Sequence, residues 1–203
     1  MGTHYIVGVD EVGRGALAGP VVVAMVCVPK GFRTQNFGLG KLRDSKKLSA
    51  KKRERWFKFL QGHPKINYVL ARVYPRAIER INISQAANLA AFRAFQRLID
   101  VSGLSLNNCD IFLDGGLFLG KKNRVVGAKT VIRGDEKIPA IKIASILAKV
   151  SRDRLMRRLA KRYPAYGFEK HKGYGTKKHR QAIKKYGPSE AHRLTFLKKY
   201  HKI

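Results

Sequence analysis

The chain has 203 residues, 44% of them apolar, and carries a formal charge of +30 from 43 Lys and Arg against 13 Asp and Glu. That is enough to bury a full core in one large or two unequal units. Two cysteines, Cys27 and Cys109, argue against a disulfide scaffold or a zinc cluster, and no apolar stretch approaches the roughly 20 residues of a bilayer span. A pI near 10.7 points to a polyanionic partner, nucleic acid, since phosphate neutralisation releases counterions without any reading of sequence. A generally basic surface is the bland alternative.

Met1-Gly2-Thr3-His4 leads at once into an apolar run with no signal-peptide pattern, so a cytoplasmic protein is expected. Residues 4–9 read as a buried strand, and the glycine-rich stretch 13–19 as a turn into a second strand, Val21 to Val28. Residues 29–49 lack a clear period and read as loop. Residues 50–61 form a basic amphipathic helix, Asn67 to Val73 a third strand, and Pro75 sits at the first turn of a short helix. Ala87, Ala91, Phe95 and Leu98 recur at helical spacing within Ser84 to Val101. Cys109 to Leu113 and Arg124 to Ile132 read as strands, the two cysteines being small buried hydrophobes in theirs.

Pro139 opens a long helix, Ala140 to Arg162, stopped by Tyr163-Pro164. A Gly/Tyr loop, a helix from Lys177 to Tyr186, a break at Gly187-Pro188 and a basic tail complete the chain. Residues 151–203 alone hold 17 Lys and Arg against 3 Asp and Glu. With strands crowding the first half and helices the second, the expected fold is α/β, a mixed sheet with a smaller C-terminal helical unit. The expected division is 1–162 and 163–203.

The scarce acids fall at strand ends. Asp10 and Glu11 end the first strand, Asp114 ends Ile111-Phe112-Leu113, and Asp135 follows Thr130-Val131-Ile132. Carboxylates in such places are costly to desolvate unless something cationic meets them. Adjacent residues of a strand face opposite ways, so Asp10 and Glu11 share a site only if the strand ends or bulges there, and Val12-Gly13-Arg14-Gly15 is expected to supply that break. Each acid alone also fits a structural role: Asp10 a turn cap, Glu11 a surface residue, Asp114-Gly115 a hairpin turn, Asp135 a cap before the long helix. Together, in a chain so poor in acid, four carboxylates suit hard Mg²⁺ or Mn²⁺ ions, and a two-ion arrangement suits phosphodiester hydrolysis.

Gly8-Val9-Asp10-Glu11-Val12-Gly13-Arg14-Gly15-Ala16-Leu17-Ala18-Gly19-Pro20-Val21 closely resembles the N-terminal signature of ribonuclease HII. Asp44-Ser45-Lys46-Lys47-Leu48-Ser49 and Phe112-Leu113-Asp114-Gly115 resemble its second and third motifs. Gly134-Asp135, Ile138-Pro139-Ala140 and Ala144 to Asp153 resemble the fourth and its helix. His171-Lys172-Gly173-Tyr174-Gly175-Thr176 and His192-Arg193-Leu194-Thr195-Phe196 resemble the C-terminal tyrosine motif and the closing segment. The match runs in order over nearly the whole chain.

The resemblance implies a ribonuclease H-like fold: a five-stranded mixed sheet flanked by helices, with a C-terminal helical extension. It implies Asp10, Glu11, Asp114 and Asp135 as metal-binding catalytic carboxylates holding two Mg²⁺ or Mn²⁺ ions. It also implies endonucleolytic cleavage of RNA in RNA–DNA hybrids and on the 5′ side of single ribonucleotides in duplex DNA, leaving 3′-hydroxyl and 5′-phosphate ends, as ribonucleotide excision repair requires. Gly13, Arg14 and Gly15 are expected at the sugar edge, where the 2′-hydroxyl separates RNA from DNA. Tyr174 is expected to stack on the deoxynucleotide after the ribonucleotide. Ser45, Lys46, Lys47, Ser145 and Lys149 are expected on backbone phosphates. A solvated face is the alternative for each lysine, and an ordinary loop tyrosine for Tyr174.

Asn82, in Ile81-Asn82-Ile83, has no assigned role. Lys142-Ile143 departs from the small residues usual before Ala144-Ser145, and the tail 196–203 shows no clear motif for a replication clamp. Arg14, where the related ribonuclease HIII has a lysine, and a start directly at the catalytic strand favour the HII branch. A monomer is expected. A non-catalytic nucleic-acid-binding protein would explain the charge but not the placement of the acids. A junction-resolving nuclease on the same fold would leave the Gly13–Gly15 and Tyr174 motifs without a task.

Overall fold

Strand β1 (Tyr5–Val12) sends Val7 and Val9 to one face of a sheet and Ile6 and Val12 to the other, the two-residue period of extended chain. In the computed structural model, which describes residues 3–34, 38–40, 42, 45–119 and 127–198, β1 is the central strand. It joins β2 (Val21–Pro29), β3 (Asn67–Val73), β4 (Cys109–Asp114) and β5 (Ala128–Val131) in the order β3-β2-β1-β4-β5. The β1–β2 and β2–β3 pairs are antiparallel, and β1–β4 and β4–β5 parallel. This is the five-stranded mixed sheet the resemblance implies.

Both faces are covered, which is why β2 is apolar and buried from Val21 to Val28 rather than alternating. On one face lies helix α2 (Pro75–Ser102), its Ala86, Ala87, Ala90, Ala91 and Ala94 all fully buried. Small side chains let a helix axis approach the sheet closely. On the other face lie α1 (Ala50–Gly62) and, after the single turn α3 (Gly134–Lys137), the 24-residue α4 (Pro139–Arg162). Helix α4 presses so closely on β1 that a Cβ on Gly8 would overlap the Ala140 and Ile141 backbone, lying 2.6 Å from the Ala140 carbonyl oxygen.

Short helices α5 (Phe168–His171), α6 (Lys177–Tyr186) and α7 (Leu194–Leu197) follow. Phe168, Tyr166 and Ala191 form a small core with Ala18 and with Leu155, Met156 and Ala160 of α4. No helix among the described residues is long and apolar enough to cross a membrane.

Four expectations need adjustment. The short helix at Pro75 and the helix from Ser84 are two arms of α2, broken at Asn82, whose backbone is left-handed at φ 63°. Asn82 Oδ1 accepts from Gln85 N at 3.0 Å, so this residue both kinks the helix and caps its second arm. The strand expected over Arg124 to Ile132 is seen as Ala128–Val131: residues 124–126 lie outside the described residues, and Ile132 has left the ladder and is 75% exposed. Cys27 is buried, but Cys109, at the first position of β4, is only partly so. Lastly, β1 does not end or bulge at Asp10-Glu11. Its ladder with β2 continues unbroken to Val12–Val22.

Candidate active site

The three parallel strands point their carboxyl ends to one edge of the sheet, and each leads into acid. Strand β1 carries Asp10 and Glu11, β4 ends on Asp114, and β5 leads through Arg133, left-handed at φ 56°, into Asp135 at the start of α3. Gly134 N donates to Asp114 Oδ1 at 2.7 Å and ties the last two together. By strand alternation Asp10 lies on the α4 face and Glu11 on the α2 face. They still converge, because the pairing of β1 with β4 stops at Val9–Leu113 while β2 carries β1 on to Val12. The projecting end of β1 is thus open on its β4 side, and a break in the strand is unnecessary.

Two of these acids, Asp10 and Glu11, are held in an environment that disfavours their charge, through burial first and neighbouring acids second. Asp10 is 6% exposed, and burial, then Glu11 and Asp114, hold its carboxyl well above the ordinary range, although Ser145 and the Glu11 backbone N–H donate to it. Burial pushes Glu11 up to about 7 with Asp114 adding to the rise, even though the Arg14 guanidinium opposes it. Glu11 Oε2 is one of two buried side-chain atoms among the described residues without a hydrogen-bond partner.

Among the described residues no three His, Cys, Asp or Glu side chains are placed as a ready metal shell. The fit to a divalent ion lies instead in the donor chemistry: clustered carboxylate oxygens, one of them bare, whose mutual repulsion a hard cation would relieve.

The loop Gly13–Pro20 borders these acids. Gly13 has φ 95°, and a Cβ there would collide with the Arg152 side chain, whereas a Cβ at Gly15 would meet nothing within 4 Å. Gly15 therefore leaves its backbone open to a ligand. The Arg14 side chain turns inward, reaching Glu11 Oε1 at 3.4 Å, the Gly116 carbonyl at 3.2 Å and Ser84 Oγ at 3.2 Å. It steadies Glu11 from the α2 side. Ser45 Oγ lies 2.8 Å from Ser145 Oγ, which itself hydrogen-bonds Asp10, so this pair backs the carboxylate.

Lys46 meets Asp135 at 3.6 Å and Lys47 meets Glu136 at 3.3 Å, both ammonium groups well exposed. Asp44, which completes their motif, lies outside the described residues. Lys149, one turn beyond Ser145 on α4, is paired with Asp153 at 2.8 Å. Tyr174 sits in the loop between α5 and α6 with the Arg152 guanidinium 5.4 Å from its ring centre.

Two further residues shape the site without having stood out in the sequence. Arg152 and Arg193 are fully buried. Arg152 donates to the carbonyls of Pro20, Ala18 and Lys172, and Arg193 to those of Gly19 and Arg14. Burial, with Arg152 beside it, pushes Arg193 down to about 9. The pair fastens the Gly13–Pro20 loop to the Tyr174 loop. The sequence carried no signal for this, since Arg152 stands among Lys149, Ser151, Asp153 and Arg154, and Arg193 follows Glu190 and His192 in a chain rich in arginine.

The family model described as Ribonuclease HII matches residues 7–201. The chain belongs to the ribonuclease HII family. Curated ribonucleases HII from Endomicrobium trichonymphae and Caldicellulosiruptor saccharolyticus are 45% identical over 195 residues and 44% over 197. These alignments cover 96% and 97% of this chain and 86% and 89% of theirs. Ribonuclease H2 from Pyrococcus horikoshii superposes with a TM-score of 0.70 at 22% identity, over 98% of this chain and 100% of that one. Bst-RNase HIII in complex with Mn²⁺ gives 0.73 at 19%, over 99% of this chain and 70% of that one. Such distant structures establish the ribonuclease H-like fold.

Ribonucleases HII are divalent-metal-dependent endoribonucleases that cleave RNA in RNA–DNA hybrids, and the chain is an enzyme of this class. For a ribonuclease HII the +30 charge has a partner, a nucleic-acid backbone.

Proposed function

We propose that this enzyme incises duplex DNA on the 5′ side of a single embedded ribonucleotide as well as RNA–DNA hybrids, leaving 3′-hydroxyl and 5′-phosphate ends, and so serves ribonucleotide excision repair. The observation carrying the proposal is the junction of three features: acids at the ends of three parallel strands, the Gly13–Gly15 loop beside them, and the Tyr174 loop bonded to that loop through the Gly173 carbonyl.

Asp10, Glu11, Asp114 and Asp135 are the residues that would hold two Mg²⁺ or Mn²⁺ ions. What such ions supply when bound is positive charge for acidifying the attacking water and stabilising the leaving oxygen. The chain's own residues do the rest. Ser145 and Arg14 orient Asp10 and Glu11 from opposite faces of β1. The Gly13-Arg14-Gly15 turn, open to solvent at Gly15, is the backbone that would meet a 2′-hydroxyl, the one group that distinguishes a ribose.

Tyr174, braced by Arg152, offers an aromatic face to the following deoxynucleotide. Lys46, Lys47 and Lys149, with Ser45 and Ser145, would meet the backbone phosphates. The enzyme acts as a monomer in the cytoplasm.

The test is a DNA duplex bearing one ribonucleotide, incubated with Mg²⁺ or Mn²⁺. The expected product is a nick 5′ to the ribonucleotide with a ligatable 3′-hydroxyl. No nick with either metal would overturn the proposal.

A further inference from the structure

Three histidines stand in a small aromatic core that the cleavage chemistry does not use. His179 on α6 is fully buried and His192 is 3% exposed. His171 stacks on His179 with ring centres 4.3 Å apart, and Tyr166 and Phe168 pack around them. Their hydrogen bonds fix the position of every proton. Ser189 N–H donates to His192 Nδ1 at 2.9 Å, so the His192 proton is on Nε2. That nitrogen faces His179 Nε2 at 3.1 Å, which must then accept. His179 carries its proton on Nδ1 and donates it at 2.9 Å to the backbone carbonyl of Tyr174. His171 accepts from Gly173 N on Nδ1 and donates from Nε2 to the Tyr166 carbonyl.

The relay ends on the Tyr174 loop, and its other end is anchored beside the Arg14 loop. His192 forms a backbone bridge with Ala18, Arg193 N donates to Leu17 O, and Leu17 N and Ala18 N donate to the Gly173 carbonyl. The segments 13–20, 172–175 and 191–193 are therefore one bonded unit.

We propose that His179 and His192 are positioning residues that act through Tyr174: a one-way hydrogen-bond relay from Ser189 that sets the Tyr174 ring at a fixed offset from the Arg14 loop, and with it the spacing at which a ribonucleotide–deoxynucleotide step is recognised. The inference rests on the reading of Tyr174 as the stacking residue. A proton added to either imidazole would bring two donors face to face or leave the Ser189 N–H without an acceptor. The titratable groups nearest the pair are His171, Tyr166 and Tyr174, with Glu169 and Lys172 acting on His171 and the buried Arg193 next in the chain. Both rings are accordingly pushed down to about 4, burial being the main cause.

The first measurement is independent of activity. Imidazole ¹⁵N shifts of the full chain at pH 7 are expected to show His179 as the Nδ1–H tautomer and His192 and His171 as Nε2–H. The opposite tautomer at His179 would overturn the relay. The second measurement is the ratio of kcat/KM for a single embedded ribonucleotide to that for a uniform RNA–DNA hybrid. His179→Leu is expected to lower it about tenfold, the size of one missing hydrogen bond. His179→Asn, which keeps a donor near the Nδ1 position, is expected to restore most of it. In a Tyr174→Ala background, His179→Leu is expected to add no further loss. Equal losses on both substrates, or losses that add to that of Tyr174→Ala, would assign the histidines to general stability and overturn the relay. If Tyr174→Ala abolishes the preference and His179→Leu does not, the relay alone fails. If Tyr174→Ala leaves the preference intact, the stacking reading fails.

Discussion

Replacing Glu11 by Gln is expected to stabilise the metal-free enzyme at alkaline pH while removing its activity. The Glu11 carboxyl, ordinarily near 4.5, sits at about 7 in the folded chain, even with the Arg14 guanidinium 3.4 Å away. A carboxyl raised in this way favours folding fully below its unfolded value, and the contribution is lost as pH climbs through the folded one. At about 1.4 kcal/mol per pKa unit, ionised Glu11 costs the fold about 3 kcal/mol once the pH exceeds 7. Glu11→Gln never ionises, so it should gain that amount at pH 8 and nothing at pH 4. For a chain of this size the gain corresponds to roughly 6–12 °C in Tm. The assay is thermal melting in EDTA across pH 4–8, repeated with excess Mg²⁺ or Mn²⁺. With metal the order should narrow or invert, because an ion at 100 times its Kd stabilises the wild type by about 2.7 kcal/mol and finds one ligand fewer in the variant. A Glu11→Gln chain melting no higher than wild type at pH 8 in EDTA, or a difference independent of pH, would refute the view of these acids as an uncompensated cluster.

Asp10→Asn or Asp114→Asn should abolish cleavage with duplex affinity kept within a few-fold, as read by titration of a labelled duplex, since binding draws on distributed phosphate contacts. Arg152→Lys should cost about 3 kcal/mol in urea unfolding, because an ammonium, whose three donors sit on one nitrogen, cannot span the three carbonyls that Nε, Nη1 and Nη2 of the guanidinium each meet. Gly8→Ala should be similarly severe by the same measurement, since its methyl would overlap the backbone of α4, and overpacking of this kind costs about 1–3 kcal/mol or more. Changing Lys177, Lys178, Lys184 and Lys185 of α6 to Gln should flatten the slope of log affinity against log salt by roughly 0.9 for each phosphate these lysines neutralise. Cutting the chain after Tyr163 is a poorer test of the basic tail, because it also removes Arg193 and the His192 bridge to Ala18 and so loosens the Arg14 loop.

Much of the fold was legible because its periods are clean. Asn67–Val73, Lys177–Tyr186 and the helix through Arg162 have the expected bounds, set by strand-length apolar runs or by Pro and Gly at their ends. The kink at Asn82 was not legible, because an asparagine inside a helical pattern carries no sign that its backbone turns left-handed. Nor was the convergence of Asp10 and Glu11 from opposite faces. That depends on which neighbouring strand ends first, a property of β4 rather than of β1. The inward turn of Arg14 escaped for the same reason, since Ser84 and Gly116, which receive it, are distant in sequence. Of the basic residues read as phosphate contacts, Lys46, Lys47 and Lys149 each meet an acid in the free enzyme.

The charge of the whole chain also looks different once the site is placed. An excess of 30 positive charges outnumbers the four acids several times over. Lys46 meets Asp135, but the excess does not relieve Asp10 and Glu11, which both remain raised with those charges in place. Exposed lysines are screened beyond roughly 8 Å at physiological ionic strength, and even Arg14, in direct contact, fails to offset the burial of Glu11. The basic surface therefore acts on a polyanion laid directly against it, and Asp10 and Glu11 are left for a compact divalent charge that can come closer than any guanidinium. Were Asp10 and Glu11 satisfied by lysines as Asp135 is by Lys46, the fold would be more stable and the pair would have less reason to hold a metal ion.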